Sequence, residues 1–143
     1  SHPKLKVKVA RTAHFNAAHR LNNPNWSVEK NKNVFGKCNN PNFHGHNYSL
    51  TVEIIGDIDA DTGYVVDLGW LGSLIKTEIE NRFDHKNLNL DCKEFANVNP
   101  TSENIVVIIY QILKPKLRTD LLLNIKLYET ERNLAEYGDF MMS

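Results

Sequence analysis

His44-Gly45-His46-Asn47-Tyr48-Ser49-Leu50-Thr51-Val52-Glu53-Ile54 is the stretch that decides the fold. Tyr48, Leu50, Val52 and Ile54 are apolar; Asn47, Ser49, Thr51 and Glu53 are polar. That two-residue period predicts a strand over 44–55 with one face in a core. A second such strand is predicted over 5–17. There Leu5, Val7, Val9, Ala13, Phe15 and Ala17 share one phase, and Arg11 is the misfit.

Between them, residues 18–43 are polar and Asn-rich, a long loop with one helical turn expected near Ser27–Asn33. Long loops in small domains are often functional. Gly56 to Gly63, with Asp57, Asp59 and Asp61, reads as a turn. Asp67 is a fitting N-cap for a helix carrying Leu68, Leu71, Ile75, Ile79 and Phe83 on its buried side. Residues 84–100 are irregular. Thr101 or Ser102 opens a second helix with Ile105, Ile108, Ile109, Ile112 and Leu113, and Pro115 stops it. Strands follow at 121–131 and about 133–137, joined by a tight turn near Glu131–Asn133. The expected fold is α+β: a four-stranded antiparallel sheet with two helices on one face, in a single domain over residues 1–143.

Composition narrows the function. Of 143 residues, 41% are hydrophobic and 24% charged, which suits a globular chain. Lys plus Arg equals Asp plus Glu at seventeen each, so nucleic acid or an anionic membrane is not expected as partner. No run is long enough for a membrane helix, and no signal peptide is seen. Ser1-His2 without Met suggests a remnant of expression. Two cysteines, Cys38 and Cys92, make no disulfide framework, which points to an intracellular, cytoplasmic protein.

The chemistry gathers around three histidines. His44 and His46 continue the apolar phase of their strand, and His19 continues the phase of Phe15 and Ala17. Three imidazoles on the buried register of neighbouring strands are costly unless something binds them. A metal removes that cost, and three neutral imidazoles with no fourth protein ligand are the open pattern of catalytic zinc. Two solvated histidines in a turn are the plainer alternative. His14 faces the other way and reads as a surface residue.

Cys38, six residues before His44, is open to three readings: fourth ligand, base or nucleophile, or inert. Cys92 reads as structural. Asp84-His85 after the first helix fits a proton relay, but a helix C-terminus capped by histidine is the readier reading. Glu129 is in phase with Leu123, Ile125 and Leu127. It is either a strand-end acid in water or a carboxylate receiving two N–H donors.

Taken together, the blocks resemble the 6-pyruvoyl-tetrahydropterin synthase family. They are Phe15-Asn16-Ala17-Ala18-His19-Arg20-Leu21, the run from Phe35 through Cys38 to Asn42, His44-Gly45-His46-Asn47-Tyr48, Asp84-His85-Lys86-Asn87-Leu88, Thr101-Ser102-Glu103-Asn104 and Tyr128-Glu129-Thr130. They span about 15–137 in the family's order.

The resemblance implies the tunnelling fold, in which three sheets close into a barrel and two barrels stack into a homohexamer, a dimer of trimers. It implies an active site between subunits, with His19, His44 and His46 as zinc ligands and Cys38 as the base. Asp84 and His85 would form the relay, and Glu129 would hold the pterin and couple to that relay. Thr101 and Ser102 would contact the pterin. It implies a lyase that converts 7,8-dihydroneopterin triphosphate to 6-pyruvoyl-tetrahydropterin plus triphosphate, for tetrahydrobiopterin synthesis, with magnesium accompanying the triphosphate.

Two departures stand out: Phe43 where many members have Gly, and Ser102 where Thr is frequent. Two rival readings remain. One is 6-carboxytetrahydropterin synthase of queuosine biosynthesis, whose usual spacing puts three residues between Cys and His-x-His, against the five here from Asn39 to Phe43. The other is a non-catalytic zinc- and pterin-binding assembly, which would need neither Cys38 nor Asp84-His85 and would prefer four closed ligands.

Overall fold

Alternation carries β1 from Lys6–His19 and β2 from His44–Asp57, and the two pair antiparallel along their whole length, His19 opposite His44. The computed structural model describes residues 5–140, so His2 and the supposed expression remnant lie outside the described residues. The strands run slightly further than the alternation predicts. The extra end of β1 holds His19, and that of β2 is Gly56–Asp57.

The first helix, α1, spans Val28–Phe35 and is capped by Ser27, whose side chain accepts from Lys30 N. The helical turn expected in the long loop is therefore there. The second, α2, starts at Leu68–Ile75 under the Asp67 cap, widens into a π turn at Lys76–Glu80 and ends in Asn81–Phe83. Its buried residues Leu71, Ile75, Ile79 and Phe83 recur at steps of four. Three such steps would drift roughly 120° around a helix of 3.6 residues per turn. The wider π turn absorbs that drift and keeps all four side chains on the sheet.

After it come a two-residue strand β3, Lys86–Asn87, and a short helix α3, Leu88–Asp91. Helix α4 covers Ser102–Leu113, with Thr101 as its cap; Pro115 lies in the 3-10 turn that ends it. Strands β4, Leu122–Thr130, and β5, Asn133–Gly138, complete the chain.

The sheet has five strands in the order β3-β1-β2-β4-β5, one more than the four expected. β3 joins β1 in parallel over Ala17 and Ala18 only, too short for any period to be read. The four long strands are antiparallel as expected, and α2 and α4 pack on one face. Phe15, Tyr48, Leu50, Ile54, Ile109 and Ile125 fill the core between them.

Arg11 fits once α2 is in place. Its guanidinium lies 2.8 Å from where a Cβ on Gly72 would sit, and it reaches Leu68 O. The opposite face of the sheet is polar. There Asn124, fully buried, donates to Glu53 Oε1, and Lys8 and Lys126 pair with the same carboxylate at 3.1 and 3.5 Å.

Candidate active site

His19 ends β1, His44 begins β2 opposite it, and His46 faces Ala17. Strand alternation turns all three rings to the helix side, where they meet nearly edge to face, with centroids 4.7, 5.0 and 4.9 Å apart. One ring nitrogen from each lies within 4.8 Å of the others.

His19 is 1% exposed, and its Nδ1 donates to Pro100 O at 2.7 Å. A carbonyl accepts only, so this bond places the proton on Nδ1 and turns the bare Nε2 into the cup. That nitrogen is 3.2 Å from His44 Nε2. Two nitrogens on a tetrahedral zinc at about 2.05 Å would stand roughly 3.4 Å apart. His44 Nδ1 and His46 Nε2 are buried with no hydrogen-bond partner. Burial is the main cause pushing the pKa of His19 and His44 down, so both stay neutral, the form that binds metal. The three residues fit a metal ion.

Glu129, on β4, links this cup to a groove. Its Oε1 lies 3.3 Å from His46 Nε2, and its Oε2 accepts from Ser102 Oγ at 2.7 Å. Of the two candidate caps, Thr101 takes the role, accepting from Asn104 N, and this leaves the Ser102 hydroxyl free for Glu129. A groove of about 430 Å³ opens there, walled by Ser102, Val106, Val107, Leu134 and Tyr137. Thr101 is not among its walls.

Cys38 sits in the 3-10 turn Gly36–Asn39 after α1, entered through Gly36 at φ +55°. The Asn-rich loop is built, not loose. Cys38 O accepts from Leu21 N, Asn39 Nδ2 donates to Leu21 O, and Arg20 Nε donates to Asn39 O. Burial and then the Glu129 charge push the Cys38 thiol up rather than down. Cys92 is buried and pushed up to about 11, an inert structural thiol.

The structure does not bring Asp84 and His85 to Cys38 or the cup. Asp84 Oδ1 accepts from Asn16 N, and His85 N donates to Asn16 O, at the edge of the sheet. The His85 ring is 83% exposed and lies 3.5 Å from Asp84 Oδ2. Two contributors went unread in the sequence: the Pro100 carbonyl, which no side-chain pattern signals, and the Tyr48 hydroxyl, 3.3 Å from His19 Nδ1.

The family model for 6-pyruvoyl tetrahydropterin synthase matches residues 8–139. The human 6-pyruvoyl tetrahydrobiopterin synthase is 42% identical over 134 residues, covering 94% of this chain and 92% of that protein. The Drosophila melanogaster protein of the same name is 42% identical over 130 residues, 90% of this chain and 77% of that one. The solved Caenorhabditis elegans 6-pyruvoyl tetrahydropterin synthase superposes with a TM-score of 0.90 at 34% identity, over 97% of this chain and 99% of that one. With the cup, the groove and these likenesses together, the chain belongs to the 6-pyruvoyl tetrahydropterin synthase family.

Proposed function

We propose that the chain is a zinc-dependent lyase that converts 7,8-dihydroneopterin triphosphate to 6-pyruvoyl-tetrahydropterin, releasing inorganic triphosphate. One observation carries the reading: the 3.3 Å approach of His46 Nε2 to Glu129 Oε1, which joins a metal-binding cup to a carboxylate at the mouth of a groove. The groove's volume, about 430 Å³, lies in the range of small-molecule sites.

His19, His44 and His46 would hold the zinc, which when bound acidifies C–H bonds beside the substrate's side-chain oxygens. Glu129, steadied by Ser102, accepts two N–H donors from the guanidine-like edge of the pterin. Cys38 takes the proton from carbon next to the triphosphate-bearing carbon. The C–H electrons form a double bond, triphosphate leaves with the C–O pair, and the enol rearranges to a ketone. The carbinol next to the ring gives up its C–H and O–H protons to become the second ketone. The C=N bond of the dihydro ring takes up two protons with that electron pair, so the ring becomes tetrahydro with no outside reductant.

Asp84 and His85 of a neighbouring copy would relay the proton, since the pair is exposed at the sheet edge and away from its own Cys38. Sheet edges support a homohexamer. β1 is covered on its outer side by only the two residues of β3, and β5 ends the sheet. Such edges want a neighbouring strand. Magnesium would accompany the triphosphate. The cytoplasm is the proposed location, where two free cysteines stay reduced.

The test is mass spectrometry of the product from zinc-loaded protein, magnesium and 7,8-dihydroneopterin triphosphate. A pyruvoyl product is expected. A carboxy product would replace this reading with the queuosine enzyme, against which the five-residue spacing from Cys38 to His44 speaks. No product with zinc bound would leave a pterin-binding assembly.

A further inference from the structure

A second cavity, of about 660 Å³, opens beside the cup, with His44 as one wall and Lys32, Lys37, Asn40 and Pro41 as others. Lys32 comes from the last turn of α1 and Lys37 from the 3-10 turn that carries Cys38. Lys6 pairs with Asp57, Lys8 and Lys126 with Glu53, and Lys114 with Asp139. Lys76, Lys86, Lys93 and Lys116, like Lys32 and Lys37, make no ion pair among the described residues. What sets Lys32 and Lys37 apart is that both line one cavity beside His44, each exposed at its rim. The loop they belong to, residues 20–43, holds Arg20, Lys30, Lys32 and Lys37 against the lone acid Glu29, within a chain of zero net charge. Two unpaired ammonium groups held over one concavity make a site for a multiply charged anion.

The order of parts gives that anion an identity. Glu129 touches His46, His46 stands beside His44, and His44 walls the lysine cavity. A ligand with its ring at Glu129 and its side chain across the cup has its far end at Lys32 and Lys37. We infer that Lys32 and Lys37 bind the triphosphate end of the substrate and set the requirement for a phosphorylated side chain. The inference rests on the substrate reading above. It makes the two lysines positioning residues for the leaving group, acting by charge and not by proton transfer.

The experiment is calorimetric titration of inorganic triphosphate into zinc-loaded wild type, K32A/K37A and K32E/K37E, alongside steady-state kinetics with 7,8-dihydroneopterin triphosphate. Wild type should bind the anion, more weakly as salt rises. The alanine pair should lose roughly tenfold or more in affinity, and the glutamate pair further. KM should rise by a similar factor with kcat little changed, because the contact is made in ground and transition states alike. Binding of phosphate-free 7,8-dihydroneopterin and zinc content should not move. Equal triphosphate affinity in wild type and both variants, with turnover intact, would overturn the anion site and leave the reaction standing. Lysine-dependent triphosphate binding without turnover of the pterin triphosphate would overturn the reaction and leave the anion site.

Discussion

Glu129 and His46 meet at the border between groove and cup, Oε1 to Nε2 at 3.3 Å, while Ser102 Oγ holds the other carboxylate oxygen at 2.7 Å. One side chain thereby borders both the groove and the histidine cup. Glu129→Ala should weaken binding of phosphate-free 7,8-dihydroneopterin by about 2 kcal/mol or more, the worth of hydrogen bonds to a charged acceptor. It should change the melting temperature little, because the residue is only half-buried. Calorimetry and a thermal melt separate the two effects. Unchanged affinity would remove Glu129 from the pterin site.

The same carboxylate acts on Cys38. Burial raises the thiol first and the Glu129 charge raises it further. Glu129→Gln removes the charge and keeps the shape, so the Cys38 thiolate should form at lower pH. The midpoint of its alkylation by iodoacetamide, followed by peptide mass spectrometry, should move down. Cys92, pushed up to about 11, is the internal control and should stay slow. A midpoint unmoved by Glu129→Gln would mean that the carboxylate does not govern the Cys38 thiol.

Acid should unfold the metal-free protein by a route that the histidines dictate. His19 and His44 have folded pKa values below the ordinary 6.5. Below pH 6.5 the unfolded chain therefore binds more protons than the folded one, and stability falls with falling pH. Above 6.5 both states are neutral there and the contribution is complete. The melting temperature of metal-stripped protein should drop between pH 7.5 and 5.5, less steeply in His44→Ala. Glu53, Glu94 and Asp139 are all pushed below their ordinary carboxylate values and titrate under this window. His44→Ala should also lose the metal, read by elemental analysis. A flat pH profile, or full zinc in the variant, would contradict the cup.

Much of this site was legible because strand alternation is strict. Once Tyr48, Leu50, Val52 and Ile54 set the buried phase, His44 and His46 followed by parity, and His19 followed from Phe15 and Ala17. Three things were illegible for physical reasons. β3 is two residues long and carries no period. The π turn at Lys76–Glu80 shows only as four-residue steps that an ordinary helix would smear around its surface. Asn39 and Asn31 are buried polar residues whose partners are backbone groups of the same loop, such as Leu21 O and Asn23 O, and composition cannot pair them.

Asp84 and His85 give the assembly a functional test. Within one chain they contact Asn16 and each other, away from Cys38. If the relay comes from a neighbouring copy, Cys38→Ala and His85→Ala proteins should each be inactive as pure assemblies. Co-refolded in equal amounts, about a quarter of their interfaces would combine an intact Cys38 with an intact His85. Turnover should return to about that fraction of wild type. Activity that stays at zero after mixing, with mixed assemblies verified by native mass spectrometry, would place the relay and the base within one chain or remove the relay altogether.

Phe43 lies immediately before His44, with φ +64°, in the left-handed region where a residue with a Cβ is strained by roughly 1 kcal/mol or more. Glycine adopts that conformation without steric cost. The ring is half-buried, so it returns some of the cost by packing. Glycine would relieve the strain but give the unfolded chain about 0.5–1 kcal/mol of extra freedom. The opposing effects nearly cancel. Phe43→Gly should shift the melting temperature by no more than about 3 °C and keep its zinc. Zinc affinity, measured by competition with a chelator, decides whether the strained turn aims His44. Equal affinity would mean that β2 alone orients the ring through its pairing with His19, and weaker affinity would mean that the bulky residue holds the turn in place.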